Sequence, residues 1–191
     1  MRNFVVIFIF IFFVNIQSYS QELKKTYFGG GCFWCMEEAF DNVDGVTNVV
    51  SGYSGGTKPN PTYKEVTHGD TGHIEVVEIT YDTKKISFEE LLNIFWKNID
   101  PFDKAGQFCD KGYSYRSVAF YKNNNEKKLI EEDIQEIEKK FNQKVVTYVR
   151  KFEIFYKAEE HHQDYYKEKF INYLLYKEGC GRQRKLDNIW Q

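Results

Sequence analysis

Three consecutive glycines, Gly29-Gly30-Gly31, stand between a short apolar run and a helix-like segment that opens Cys32-Phe33-Trp34-Cys35-Met36. This arrangement constrains the fold more than any other stretch. A strand must end at a tight glycine turn and hand over at once to a helix, leaving backbone N–H groups exposed at the helix start, where an anion is stabilised. A thiol at that point faces the positive end of the helix, so Cys32 is expected to be a nucleophile whose pKa is lowered.

The remaining chain supplies alternating strand and helix patterns. Residues 25–28, 46–53, 73–81, 115–121 and 145–152 read as strands. Residues 35–41, 126–141 and 159–176 read as helices, and Ser87-Phe88-Glu89-Glu90 has the spacing of a capping box that opens another. Ile130, Ile134, Ile137 and Phe141 recur at helical spacing, so the charges between them form a solvated face. Two segments rich in turn formers, residues 54–63 and 102–114, read as loops, and Gly179-Cys180-Gly181 starts an irregular C-terminal tail. The alternation predicts an α/β (α+β) two-layer sandwich, one domain with helices packed on a sheet. With 191 residues, 42% of them apolar, the chain is long enough for a substantial core. A formal charge of −2 with acidic and basic residues interspersed gives no nucleic-acid surface.

Residues 1–20 are expected to be removed as a signal peptide. Arg2 precedes the unbroken apolar run of residues 4–14, and Ser18 and Ser20 provide small residues before a cleavage point at Gln21. The run is shorter than the roughly 20 residues a membrane span requires. Residues 21–191 form the expected catalytic domain, exported to a periplasmic or extracellular space. Such a compartment permits disulfides. Cys32 and Cys35, however, are too close in sequence for a bond between them to restrict the unfolded chain much, which favours a redox role.

Glu75 shares a strand face with Val77, Ile79 and Tyr81, since side chains repeat every second residue. A carboxylate on an apolar face is the informative exception. Three chemistries fit the cysteines. Cys32 and Cys35 could form a thioredoxin-like dithiol, Cys32, Cys35, Cys109 and Cys180 could hold zinc, or Cys32 alone could attack a small substrate held by the flanking aromatics.

Five segments in order decide among them: Gly31-Cys32-Phe33-Trp34, Gly52-Tyr53-Ser54-Gly55-Gly56, Asn60-Pro61-Thr62-Tyr63, Gly69-Asp70-Thr71-Gly72-His73-Ile74-Glu75 and Asp110-Lys111-Gly112-Tyr113-Ser114-Tyr115-Arg116-Ser117. Together they resemble the peptide methionine sulfoxide reductase A family across nearly the whole chain after the leader. The resemblance implies a mixed-sheet, ferredoxin-like α-β plait and reduction of the S epimer of methionine sulfoxide, free or in proteins. It implies no bound cofactor, with electrons from thioredoxin or another dithiol, and no nucleic-acid or membrane partner. By position it makes Cys32 the attacking cysteine, with Phe33 and Trp34 around the substrate methyl group. Glu75, Tyr63 and Tyr115 surround the sulfoxide oxygen, and Asp110 orients the site. His162-Gln163 resembles a further family segment that supports the pocket.

These residue types suit the chemistry. A sulfoxide oxygen must be protonated as sulfur is attacked, and a buried carboxylic acid with a raised pKa can donate that proton. Attack leaves a sulfenic acid, which a second thiol condenses to a disulfide. Cys180, between two glycines, and Cys35, one helical turn from Cys32, are the candidate resolving cysteines. Cys180 is the expected one, since its flanking glycines let the segment bend toward the pocket, while the glycine that many members of the family carry where Cys35 stands argues against a simple one-resolver scheme. Cys109 is expected to be buried or to act as a third relay thiol.

Overall fold

The computed structural model describes residues 22–191; the signal peptide expected over residues 1–20 lies outside the described residues. At the centre of the sheet runs β1 (Leu23–Gly30), which ends in the glycine turn and enters α1 (Phe33–Asp41). Then follow β2 (Val46–Ser54), α2 (Tyr63–His68), β3 (Ile74–Asp82) and α3 (Phe88–Lys97). Two short strands, β4 (Gly106–Gln107) and β5 (Asp110–Lys111), pair as a separate hairpin. β6 (Ser117–Tyr121), α4 (Asn124–Phe141), β7 (Tyr148–Lys151) and β8 (Phe155–Lys157) complete the sheet, and α5 (Tyr165–Glu168), α6 (Phe170–Cys180) and α7 (Arg182–Trp190) close the chain.

The six-stranded sheet has the order β7-β6-β1-β3-β2-β8, with the β6–β7 pair parallel and the others antiparallel. The mixed sheet flanked by helices is the expected α+β architecture. Strand alternation divides its side chains as the sequence pattern requires. Phe28, Val77, Ile79 and Ala119 face α1, α3 and α4 and join Met36, Phe40, Leu91, Leu92 and Phe95 in the main core. Tyr27, Ile74, Val76, Val118 and Phe120 face the other way, where Phe152 and Phe155 cover them. Glu75 therefore points into the helix-covered layer, on the Val77 side.

Local sequence explains most element ends. Ser87 accepts from the Glu90 N–H at 3.1 Å while the Glu90 carboxylate accepts from the Ser87 N–H at 2.8 Å, so the capping box forms as read. A second box, Thr62 with Glu65, opens α2, which the turn-rich stretch before it conceals. The segment expected as one helix over 159–176 is broken. Glu160–His162 form a single 3-10 turn, Asp164 adopts φ 49°, and Lys169 leaves helical geometry between α5 and α6. The expected tail is also corrected. Gly181 at φ 65°, a conformation open to glycine, caps α6 and starts α7. The helix is held down by buried Arg182, which donates to the carbonyls of Gly30 and Asn98, and by Trp190, whose indole N–H donates to Ile99 O at 3.1 Å.

Candidate active site

The glycine turn places Cys32 at the N-cap of α1, its carbonyl accepting the N–H groups of Cys35 at 3.2 Å and Met36 at 3.3 Å. Gly31 has φ 81°, and a Cβ there would press on the Gln107 side chain at 2.5 Å, so only glycine lets the chain turn this sharply. Cys32 is 5% exposed and Cys35 4%; both are free thiols and lie in one buried cluster.

From β3, Glu75 reaches under the same turn. Only 1% exposed, it accepts the Phe33 N–H through Oε2 at 3.0 Å, and its Oε1 has no partner. Burial lifts its pKa well above the usual carboxylate range, with Asp110 and Cys35 adding to the rise, so burial favours the protonated acid. Tyr63, the first residue of α2, and Tyr115, in the turn before β6, bring their hydroxyls to 3.4 Å of each other. Burial raises both phenols, so they remain hydrogen-bond donors. Glu159 fixes the Tyr63 end, accepting its backbone N–H at 2.8 Å and the Tyr53 hydroxyl at 2.7 Å.

The walls are aromatic. Trp34 stacks on Tyr165 with ring centroids 3.8 Å apart, and His162 packs within 5.2 Å of Phe33 and 4.4 Å of Tyr63. Burial lowers His162 to about 4, so it is a neutral ring here. The Trp34 indole N–H has no partner. Asp110, on β5, accepts the hydroxyl of Tyr176 from α6, and burial raises its carboxyl against the pull of Tyr176, Arg182 and Lys111. The structure thus gathers Cys32, Phe33, Glu75, Tyr63 and Tyr115 directly, with Asp110 joined through Tyr176.

Three expectations change. The Cys32 thiol is not lowered in the free protein: burial pushes it up, Cys35 and Glu75 add to this, and Tyr176 alone opposes them. Position at a helix start does not outweigh desolvation when no cation faces the sulfur. Cys35 is instead held down to about 6, first by its hydrogen bond with Cys32 and then, against burial, by Arg182, Tyr173 and Lys177. Second, Cys180 does not face Cys32 as a free thiol; it is joined to Cys109, 71 residues away, with Cα atoms 5.1 Å apart. Third, Cys109 is exposed rather than buried, and as a disulfide partner it is no free relay thiol. The four cysteines form two separate pairs, so the zinc arrangement is not assembled; Cys109, Asp110 and Cys180 cluster, but two of those sulfurs are spent in the bond.

Sequence reasoning missed Tyr176 and Glu37. Glu37 is buried in α1, where it accepts from Ser51 Oγ at 3.3 Å and Asp164 N at 3.1 Å, and burial raises it to about 7. Its position between Met36 and Phe40, on the helix that follows Cys32, was the available signal.

The family model described as peptide methionine sulfoxide reductase matches residues 24–191. A peptide methionine sulfoxide reductase MsrA of Listeria innocua is 46% identical over 173 residues, covering 90% of this chain and 98% of the relative. Among solved structures, reduced Mxr1 of Saccharomyces cerevisiae superposes with a TM-score of 0.72 at 29% identity, covering 80% of this chain and 90% of the other. The structure of Mxr1 in complex with Trx2 shares the fold at a TM-score of 0.54 and 21% identity, covering 78% and 91%. A match that spans nearly every described residue, on a chain whose glycine turn delivers a buried cysteine to an unpartnered acid, places this protein in the peptide methionine sulfoxide reductase family.

Proposed function

We infer that the pocket reduces the S epimer of methionine sulfoxide, in proteins or free, through Cys32, with Cys35 as resolving thiol and a thioredoxin-type dithiol as final reductant. The observation that carries the assignment of roles is Glu75 Oε1, a buried oxygen without a partner on an acid whose proton burial retains. The substrate methyl group packs against Phe33 and Trp34, a surface suited to a methyl and a polarisable sulfur. Its oxygen accepts from Glu75, Tyr63 and Tyr115.

The Cys32 thiolate attacks the sulfoxide sulfur while Glu75 gives its proton to the oxygen. The S–S bond so formed and the S–O bond then break as the hydroxyl passes to the Cys32 sulfur, so methionine leaves reduced by two electrons, Cys32 is oxidised to the sulfenic acid and Glu75 is left as the carboxylate. Cys35 then attacks the Cys32 sulfur and expels water, leaving a Cys32–Cys35 disulfide. A dithiol reduces that bond by exchange and restores both thiols. Cys35 takes this role because it is a free thiol in one buried cluster with Cys32 while Cys180 is bonded elsewhere. The alternative of a general thiol–disulfide oxidoreductase leaves the buried, unpartnered Glu75 oxygen and the Tyr63–Tyr115 hydroxyl pair without a use.

Export is part of the same proposal. It is supported by the sequence of the first twenty residues and by a disulfide between Cys109 and Cys180, a bond that persists in oxidising compartments. The mass of the mature protein tests it: a chain beginning at Gln21 is expected, and one retaining Met1 contradicts cleavage. Cys32→Ser tests the reaction itself, since it should abolish dithiothreitol-supported reduction of the S epimer; persisting activity rejects the assignment.

A further inference from the structure

A nucleophile that burial keeps protonated needs a base, and the groups around Cys32 differ in their fitness for that task. Glu75 must hold its proton for the sulfoxide oxygen. Cys35 must later act as a nucleophile itself. The remaining polar neighbour is Tyr176, whose side chain packs against the buried Cys32–Cys35 cluster and whose hydroxyl donates to Asp110 Oδ2. Its ring stands edge-on to Trp34 with centroids 5.9 Å apart, which fixes the phenol against the pocket wall.

We propose that Tyr176 and Asp110 form a proton relay that deprotonates Cys32, and that the Cys109–Cys180 disulfide is the clamp that holds the relay in register. The Cys32 S–H donates to Tyr176 Oη, and Tyr176 O–H donates to Asp110. Concerted transfer leaves a Cys32 thiolate, a neutral phenol that now donates to it, and a protonated Asp110. No proton is lost or gained, and Glu75 keeps its own for the sulfoxide. Burial raises Asp110, which suits it to take up the proton, while Tyr176, Arg182 and Lys111 pull it toward ionisation. The other groups that face the relay are Glu75 and Cys35 at Cys32, and Cys35 at Tyr176, all of which oppose further negative charge.

The disulfide grips both ends. Cys109 is the residue before Asp110, and Cys180 lies four residues after Tyr176, one helical turn along the same face of α6. Tyr173 and Lys177 on that face both meet Glu38 of α1. The four residues 173, 176, 177 and 180 thus strap α6 over the buried thiols, and the disulfide is the covalent link to the hairpin that carries Asp110, beside the Tyr176–Asp110 hydrogen bond. Cys109 and Cys180 act through Asp110 and Tyr176 and touch no substrate; they are positioning residues.

The proposal rests on Cys32 being the nucleophile, and its test is separable from that assignment. The pH dependence of Cys32 alkylation by iodoacetamide, read by mass mapping of the Cys32 peptide, is measured beside the single-turnover rate of sulfoxide reduction. Tyr176→Phe should move the alkylation profile to higher pH and slow the single turnover at pH 7 about tenfold per unit moved, with recovery at higher pH. Asp110→Asn should do the same, and serves if Tyr176→Phe fails to fold. Cys109→Ser/Cys180→Ser should shift the profile in the same direction by less. An unmoved profile in Tyr176→Phe and Asp110→Asn, or a rate loss equal at all pH, overturns the relay. A shift seen in Cys35→Ser alone also overturns it, assigning the proton to Cys35. A melting temperature lowered in the double variant with an unmoved profile makes the disulfide a plain staple and overturns the clamp. Activity surviving in Cys32→Ser is the separate outcome that rejects the nucleophile.

Discussion

The two cysteine pairs of this protein show how differently one side chain is used within one fold. Cys32 and Cys35 are three residues apart, buried and free, at the mouth of a helix. Cys109 and Cys180 are 71 residues apart, bonded, and Cys109 is exposed. A bond between the first pair closes almost no loop and restricts the unfolded chain little, so it can form and break without unfolding the domain. A bond between the second closes a long loop, which removes far more freedom from the unfolded chain. Close spacing and burial beside an acid suit turnover; long spacing suits a clamp.

Four variants break or sharpen that contrast. The largest effect is expected from Cys35→Ser, which should still release methionine once and then stop. Steady-state turnover with a protein dithiol should fall to background while a sulfenic acid accumulates at Cys32, as a dimedone adduct would show. Undiminished turnover would remove Cys35 from the cycle. Next comes Glu75→Gln, which keeps the shape and the bond from the Phe33 N–H but not the proton. Loss of a general acid costs on the order of 10²–10⁴ in rate, so a single-turnover rate within a few-fold of the parent would deny Glu75 that role.

The same variant carries a stability prediction of opposite sign. The folded pKa of Glu75 lies above its unfolded value. Its contribution is therefore fully present below the unfolded pKa and is lost as pH rises toward the folded one, at up to about 1.4 kcal/mol per pH unit. Glu75→Gln has no such slope, so near neutral pH it should melt higher than the parent while working far more slowly. Denaturant titrations at pH 4 and pH 7 check this; a parent that gains stability over the same interval relative to the variant would reverse the sign.

The double variant Cys109→Ser/Cys180→Ser should lose about 2–4 kcal/mol of stability, the usual worth of a disulfide, and retain dithiothreitol-supported reduction at elevated pH. The smallest effect is expected at Thr62→Ala, which removes half of the capping box at α2 and should cost about 1 kcal/mol. Because Tyr63 is the next residue, a KM rise larger than any change in kcat is expected, measurable by steady-state kinetics.

What the sequence could reveal follows the range of the interactions involved. The strands β1, β2, β3, β6 and β7, the Ser87 capping box and the inward face of Glu75 depend on neighbours two to four residues apart and appear close to where the pattern places them, whereas β4 and β5 form inside the segment read as a loop and β8 lies where no strand was read. The pocket walls Phe33 and Trp34 were legible because they adjoin the nucleophile. By contrast, the Cys109–Cys180 bond, the Tyr176–Asp110 contact and the anchoring of α7 through Arg182 join residues far apart in the chain. No local pattern encodes them. The apolar spacing over 159–176 is compatible with one helix. The backbone departs from it at Asp164, whose N–H is captured by the buried Glu37 carboxylate of α1. The lowered Cys32 pKa failed for a related reason: the helix start was visible, but the depth at which the fold would bury the sulfur was not.

The central claim is that Cys32 and Cys35 perform the redox cycle while Cys109 and Cys180 stay bonded. One turnover of reduced-site enzyme with methionine-S-sulfoxide, quenched by acid and mapped by mass spectrometry, addresses it most directly. The account predicts a new Cys32–Cys35 disulfide beside an unchanged Cys109–Cys180 bond; a Cys32–Cys180 link would contradict it.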